Sequence, residues 1–407
     1  MKFVHFADCH LDGYREEKLA RLGFEHFVSV ITFALEKKVD FVLLAGDLFN
    51  TALPRVDTLK DVVEQLKRLQ DGSIPVYAIA GSHDFSPHGK TMFDVLEKAG
   101  LLINVMKGDI DIQGRLQLQF TIDEKTKAHI TGIIGKKGML DKQLYEDLAP
   151  IKPVEGVPNI FLFHTSITEL KPKNLELMES AEISILPAGF DYYAGGHVHI
   201  VKEFSSLSYQ NVVYPGPTFP NNFAELEKLQ HGSFVFYDSE ENFGGKHFKH
   251  VFIEKKPVMS FVIDADGKTP VQVEENIRDV VKGKELQNVI LLFRFVGKLS
   301  EGKTQDIDFK TVFQELYTKG VFIVLRNTDN LSSPLFEEIE VKDGTAEEIE
   351  AETITEHLNQ IPLPKNLNEQ DIIEKLIKEL SIEQMDGEKK STFVERIEKT
   401  AKEILEK

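Results

Sequence analysis

Five of the thirteen histidines in this 407-residue chain stand directly behind short apolar runs, in company with aspartates. The first run ends in Asp8-Cys9-His10, the second in Gly46-Asp47 and the third in Gly81-Ser82-His83-Asp84. His164 closes a later run, and Gly195-Gly196-His197-Val198-His199 closes another. Neutral imidazole mixed with carboxylate is a donor set for Mn, Fe or Zn rather than for Ca or Mg. About seven donors exceed what one ion accepts, which implies two ions roughly 3.5–4 Å apart sharing a bridging group. Each fragment alone is weak, because Asp-x-His is commonplace and a buried histidine is more often a hydrogen-bonded structural residue than a ligand. The ordered set carries the reading. In extended segments Asp8 and His10, like His197 and His199, would face one side and turn Cys9 and Val198 into the packing.

Such chemistry needs elements that end together. Residues 3–7, 40–45 and 75–80 read as strands. Residues 24–36 and 56–69 read as amphipathic helices, the second with Val56, Leu59, Val62, Val63 and Leu66 on one side, and a short helix follows near 92–98. This alternation predicts an α/β domain, and in open α/β sheets ligands gather beyond the carboxyl ends of strands. Residues 116–134 read as hairpin strands, and 159–163, 192–195 and 212–214 as strands between loops rich in Pro and Gly. A mixed sheet, or two sheets face to face, is expected to about residue 250. Beyond it lies a compact α+β unit, with strands at 261–263, 289–295 and 321–325 and helices at 273–281 and 309–317. Residues 337–356 are strongly acidic and 361–367 read as a linker. Asn368 can cap a helix striped by Ile372, Ile373, Leu376, Ile377 and Leu380. Phe393, Val394, Ile397, Ala401, Ile404 and Leu405 stripe a second. This pair either packs on itself or the body, or docks a partner helix or coiled coil.

Asp-x-His, Gly-Asp, Gly-x-His-Asp, His and Gly-His-x-His, in that order, resemble the calcineurin-like metallophosphoesterase superfamily. Asp8-Cys9-His10-Leu11, Gly13-Tyr14-Arg15 and Gly46-Asp47-Leu48-Phe49-Asn50 resemble more narrowly the SbcD-type nuclease of double-strand-break repair. By motif the resemblance covers roughly residues 1–220. It implies an α/β (α+β) fold: a mixed β-sandwich flanked by helices, a small α+β capping domain and a C-terminal helix pair. The implied boundaries are 1–250 for the two-metal phosphoesterase, 251–330 for the capping and DNA-binding domain, 331–367 for an acidic linker and 368–407 for a helical ATPase-docking segment.

Carried over residue by residue, the resemblance assigns Asp8, His10 and His199 to one metal, His164 and His197 to the other, and Asp47 to both. His83 faces the scissile phosphate and Asp84 orients it. Ser82 departs from the family's Asn, a second-metal donor, and offers a shorter, weaker one. Asn50 stands where some members carry a second histidine. Tyr14, Arg15, Asn50 and Lys90 are candidate substrate contacts, and Arg55, His88, Lys136 and Lys137 also lie near the motifs. The resemblance implies two divalent ions, Mn2+ foremost, serving a DNA nuclease with 3′-to-5′ exonuclease and single-strand endonuclease activity. It further implies a homodimer, bound to an SbcC-like ABC-type ATPase with a long coiled coil, in the nucleoid-associated cytoplasm. A cyclic-nucleotide or phosphomonoester hydrolase on the same scaffold is an alternative, against which the long extension after residue 220 argues. Ser82 prompts another, a catalytically weak scaffold subunit.

The charge balance, 48 basic against 66 acidic residues and a net −18, weighs at first against a nucleic-acid partner. Its distribution removes that objection without settling the partner. Residues 301–407 hold 14 basic and 25 acidic groups, so most of the excess lies beyond every candidate ligand. A single cysteine rules out an internal disulfide. No apolar run approaches the ~18–20 residues that span a bilayer, and the N-terminal stretch is too short for a signal peptide.

Overall fold

A computed structural model describes residues 1–84, 91–136, 142–171, 179–333, 372–373, 375–376 and 390–405. They fall in two compact units, Met1–Ser332 and Ser333–Lys407. The first unit begins with β1 (Lys2–Phe6), α1 (Glu17–Lys37), β2 (Phe41–Ala45), α2 (Val56–Asp71), β3 (Val76–Ile79), α3 (Met92–Lys98) and β4 (Ile103–Asn104). Shorter pieces follow: β5 (Lys107–Ile110), β6 (Leu116–Gln119), β7 (Thr121–Ile122), β8 (His129–Gly132) and α4 (Lys142–Glu146). Next come β9 (Asn159–His164), β10 (Tyr192–Gly196), β11 (Val201–Phe204), β12 (Val212–Pro215), α5 (Phe223–Leu229), β13 (Gly232–Asp238) and β14 (Phe248–Ile253). The unit closes with β15 (Val258–Asp264), α6 (Pro270–Val280), β16 (Ile290–Lys298), α7 (Phe309–Thr318) and β17 (Ile323–Ser332).

Two six-stranded sheets lie face to face, ordered β14-β13-β1-β2-β3-β4 and β11-β12-β10-β9-β8-β7. Strands β1 to β4 are mutually parallel, as are β8, β9, β10 and β12. Parallel strands covered on both faces need apolar side chains throughout, which is why Phe41–Ala45 and Asn159–His164 are buried at every residue. Phe3, Leu43, Tyr77 and Ile79 meet Ile130, Ile160, Leu162 and Tyr192 between the sheets. Helices α1 and α2 cover the outer face of the first sheet through Phe27, Val30, Ile31, Val62, Leu66 and Leu69. Because the strands run parallel, β1, β2, β3, β9 and β10 deliver their carboxyl ends to one rim.

The small unit forms a parallel sheet, β15-β16-β17, with α6 and α7 as crossovers. It belongs to the same compact unit as the sandwich, since Ile290, Leu292 and Ile323 share a core with Leu19, Leu22, Phe219 and Leu226. That shared core explains why α1 starts at Glu17, seven residues before the expected helix: its first turns bury against residues far along the chain. Val56, expected on the buried face of α2, is 79% exposed because it opens the helix beyond the sheet.

In the second unit α8 (Lys390–Leu405) matches the second expected terminal helix. Most of the first expected one, the acidic segment and the linker lie outside the described residues. No helix among the described residues is long and apolar enough to cross a membrane.

Candidate metal centre

The loops behind β1 and β2 zip together by backbone hydrogen bonds. Asp8 N–H donates to Gly46 O at 3.1 Å, Cys9 and His10 N–H to Asp47 O at 2.8 and 3.1 Å, and Leu11 N–H to Leu48 O at 3.1 Å. The backbone is left-handed at Asp8, His10, Asp47, His197 and His199, with φ of 54, 42, 53, 96 and 51°. A side chain in that region costs on the order of 1–3 kcal/mol and persists only where its surroundings over-determine it. This corrects the extended reading of Asp8-x-His10 and His197-x-His199: tight turns behind the strands, not strand alternation, aim these side chains. Cys9 and Val198 do turn into the apolar packing. Gly81 is required sterically, because a Cβ there would collide with the Asp47 amide.

Asp8, His10 and His199 form one group of facing donor atoms, and Asp47, His164 and His197 form another. His10 Nε2 lies 2.8 Å from His199 Nε2. Asp47 reaches both groups, its Oδ2 lying 3.1 Å from His164 Nε2 and 3.6 Å from His10 Nε2. The outer ring nitrogens choose the tautomers. His164 Nδ1 donates to Ala45 O at 2.7 Å and His199 Nδ1 to Glu225 Oε1 at 3.0 Å. Each Nε2 is therefore the nitrogen that faces inward, and it offers a lone pair to a metal once its proton is displaced. Asp8 accepts the His197 N–H at 2.9 Å, tying the β10 loop to the β1 loop.

The electrostatics suit a cation. Asp8 is pushed up to about 6, first by burial and also by the neighbouring Asp47 charge, against the pull of His199 and His164. Burial opposes charge on His164, yet Asp47 drives it up to about 10. His199 rises against burial to about 9 through Glu225 and Asp8. Burial lowers His197 to about 3, with the His164 charge adding to it. Two buried carboxylates draw protons onto His164 and His199, and divalent ions could take the place of those protons, so the mixed carboxylate and imidazole donor set fits a pair of them.

Other expected site residues are placed as follows. His83 N–H donates to Asp47 Oδ1 at 2.7 Å, and its ring donates from Nδ1 to Asn50 O at 2.8 Å, edge-on to His10. Asp84 does not bond that ring. Its carboxylate accepts Leu48, Phe49 and Gly81 N–H at 3.2, 3.0 and 3.1 Å, so it shapes the turn that presents His83 and Asp47. Ser82 Oγ donates to Asp47 Oδ2 at 3.3 Å.

Tyr14, expected at the substrate, donates its hydroxyl to Pro220 O at 2.8 Å and packs its ring on Phe219. Arg55 is held by Asp12, with Nη2 to Oδ1 at 2.6 Å. Arg15 is exposed, while His88, Lys90 and Lys137 lie outside the described residues. Glu225 was not anticipated. The one sequence signal for it is Asn222, which caps α5 by accepting Glu225 N–H three residues on; the carboxylate's meeting with His199 is tertiary.

Residues 1–201 match the model of the calcineurin-like phosphoesterase family. Three archaeal relatives carry the name DNA double-strand break repair protein Mre11. The protein of Archaeoglobus fulgidus is 26% identical over 75% of this chain and 70% of its own. That of Methanococcus maripaludis is 28% identical over 71% of this chain and 74% of its own. That of Methanocaldococcus jannaschii is 30% identical over 71% and 73%. With two donor groups that one carboxylate, Asp47, reaches at the strand ends, and this similarity over more than two thirds of the chain, the chain belongs to the calcineurin-like phosphoesterases, metal-dependent phosphodiester hydrolases, and within them to the Mre11 family.

Proposed function

We propose that this chain is a Mn2+-dependent DNA nuclease of double-strand-break repair, acting as a 3′-to-5′ exonuclease and single-strand endonuclease. In this reading Asp8, His10 and His199 hold one ion, His164 and His197 the other, and Asp47 joins them, with Ser82 a weak additional donor. The observation that supports it most directly is Asp47 standing between two clusters with His83 on the same rim. Bound ions would supply Lewis acidity toward the phosphate and an acidified water. His83 serves the departing sugar oxygen: Asn50 O fixes its Nδ1–H, leaving Nε2 to carry and deliver a proton. The mixture of imidazole and carboxylate favours manganese. The names of the relatives support DNA as the substrate and repair as the setting. A homodimer, and a coiled-coil ABC-type ATPase gripped by residues 368–407, complete the reading, in the nucleoid-associated cytoplasm.

Purified chain is incubated with Mn2+ and, separately, a labelled duplex, a bis-nitrophenyl phosphate diester and a phosphomonoester. Degradation of the duplex from 3′ ends is expected, with His83→Ala slower by about 10²–10⁴-fold while Mn2+ still binds. Cleavage of the small esters without DNA loss would sink the nuclease reading. Ser82→Asn is expected to raise activity at limiting Mn2+. Deleting residues 368–407 is expected to abolish co-purification with the ATPase while sparing cleavage of a simple substrate.

A further inference from the structure

The short helix α5 touches the candidate metal centre and the small sheet through different side chains. Glu225 turns back over the helix start, where Oε2 accepts Asn221 N–H at 2.8 Å and Oε1 accepts Asn222 Nδ2 at 2.6 Å. The same Oε1 accepts His199 Nδ1–H at 3.0 Å. Two residues on, and so across the helix, Glu227 binds the small sheet. Its carboxylate takes Arg294 Nη2 of β16 at 2.6 Å and Ser260 Oγ of β15 at 3.1 Å. Arg294 also lies 5.2 Å over the Phe223 ring, and Leu226 is fully buried against Leu19, Leu22, Ile290 and Leu292. Seven residues therefore join an imidazole at one metal group to a guanidinium on the small sheet, with a buried leucine as the pivot.

We infer that Glu225 is a positioning residue for His199, and that α5 carries the seating of the small sheet on Glu227 to that imidazole. The inference rests on the two-metal reading above. A carboxylate on the outer nitrogen of a metal-binding histidine fixes its tautomer and ring orientation and raises its basicity. Removing such a partner typically costs about 10–100-fold in metal affinity. Glu227 acts one step further out, because α5 can hold Glu225 at His199 only while its other side is anchored.

The test is Mn2+ titration of the full chain by calorimetry, with bound metal counted after desalting and melting followed in EDTA. Glu225→Gln keeps the volume and can still accept Asn221 N–H, so the metal-free chain is expected to stay folded, melting lower than the parent only by the lost ion pair with His199. One of the two sites is expected to weaken about 10–100-fold. Glu227→Gln is expected to weaken the same site less, and the double variant to be no weaker than Glu225→Gln alone. Unchanged affinity in Glu225→Gln, or equal loss at both sites, overturns the positioning role. Additive losses in the double variant overturn the transmission through α5. Fewer than two ions on the parent chain would instead refute the two-metal reading, and the inference with it.

Discussion

Protons and divalent cations compete for the same lone pairs at this centre. Without metal, His164 is drawn up to about 10 and His199 to about 9, so both hold protons at neutral pH, while Asp8 sits at about 6. A bound ion must displace those protons. Raising the pH removes the competitor, so affinity rises with pH up to about 10, most steeply below about 6 where Asp8 also holds a proton. Mn2+ titrations at pH 6 and pH 8 are expected to give binding at least about tenfold tighter at pH 8, with proton release visible as a buffer-dependent heat. The neighbours His83 and Asp84 separate by experiment as well. Asp84→Ala orphans three backbone N–H groups and is expected to cost about 2–3 kcal/mol of stability, whereas His83→Ala leaves the metal-free melting curve nearly unchanged. Equal melting of the two variants would contradict the turn-shaping role of Asp84.

At the scale of elements, α2 shows how periodicity and packing divide the work. Val62, Leu66 and Leu69 are fully buried on the first sheet, while Val56, on the same predicted face, remains in solvent. Leu66→Ala is therefore expected to cost about 2–4 kcal/mol, and Val56→Ala less than about 0.5 kcal/mol, by chemical or thermal denaturation. The strands needed no such correction. Apolar runs such as residues 41–45 and 160–163 are buried throughout because neighbours cover both faces, and this composition is readable without knowing the neighbours. The first turns of α1 were not readable, because the partners of Leu19 and Leu22 lie near residues 290 and 323.

At the scale of the molecule, the small parallel sheet is built into the sandwich unit by a shared core. Truncation after Ile253 would expose Leu19, Leu22, Phe219 and Leu226 together and unseat α5. Truncation after Ser332 removes only the second compact unit. The first truncation is expected to lower the melting temperature sharply and weaken Mn2+ binding, and the second to preserve both. Intact melting and metal binding in the shorter fragment would show that the small sheet is dispensable to the centre.

The sequence by itself determined which side chains can do the chemistry and which runs deliver them. Aspartate and histidine behind apolar strands are local facts, and parallel strands force their ends to a common rim. Only the tertiary structure decided how those ends are turned. The left-handed backbone at five candidate ligands is imposed by loops that bond to one another, and nothing in the residue types announces it. Tertiary packing likewise committed Tyr14 to Pro220 and Arg55 to Asp12, and brought Glu225 to His199. The physical reason is separation along the chain. His10 and His199 stand 189 positions apart yet face each other at 2.8 Å, a closeness that only the assembled sheets enforce.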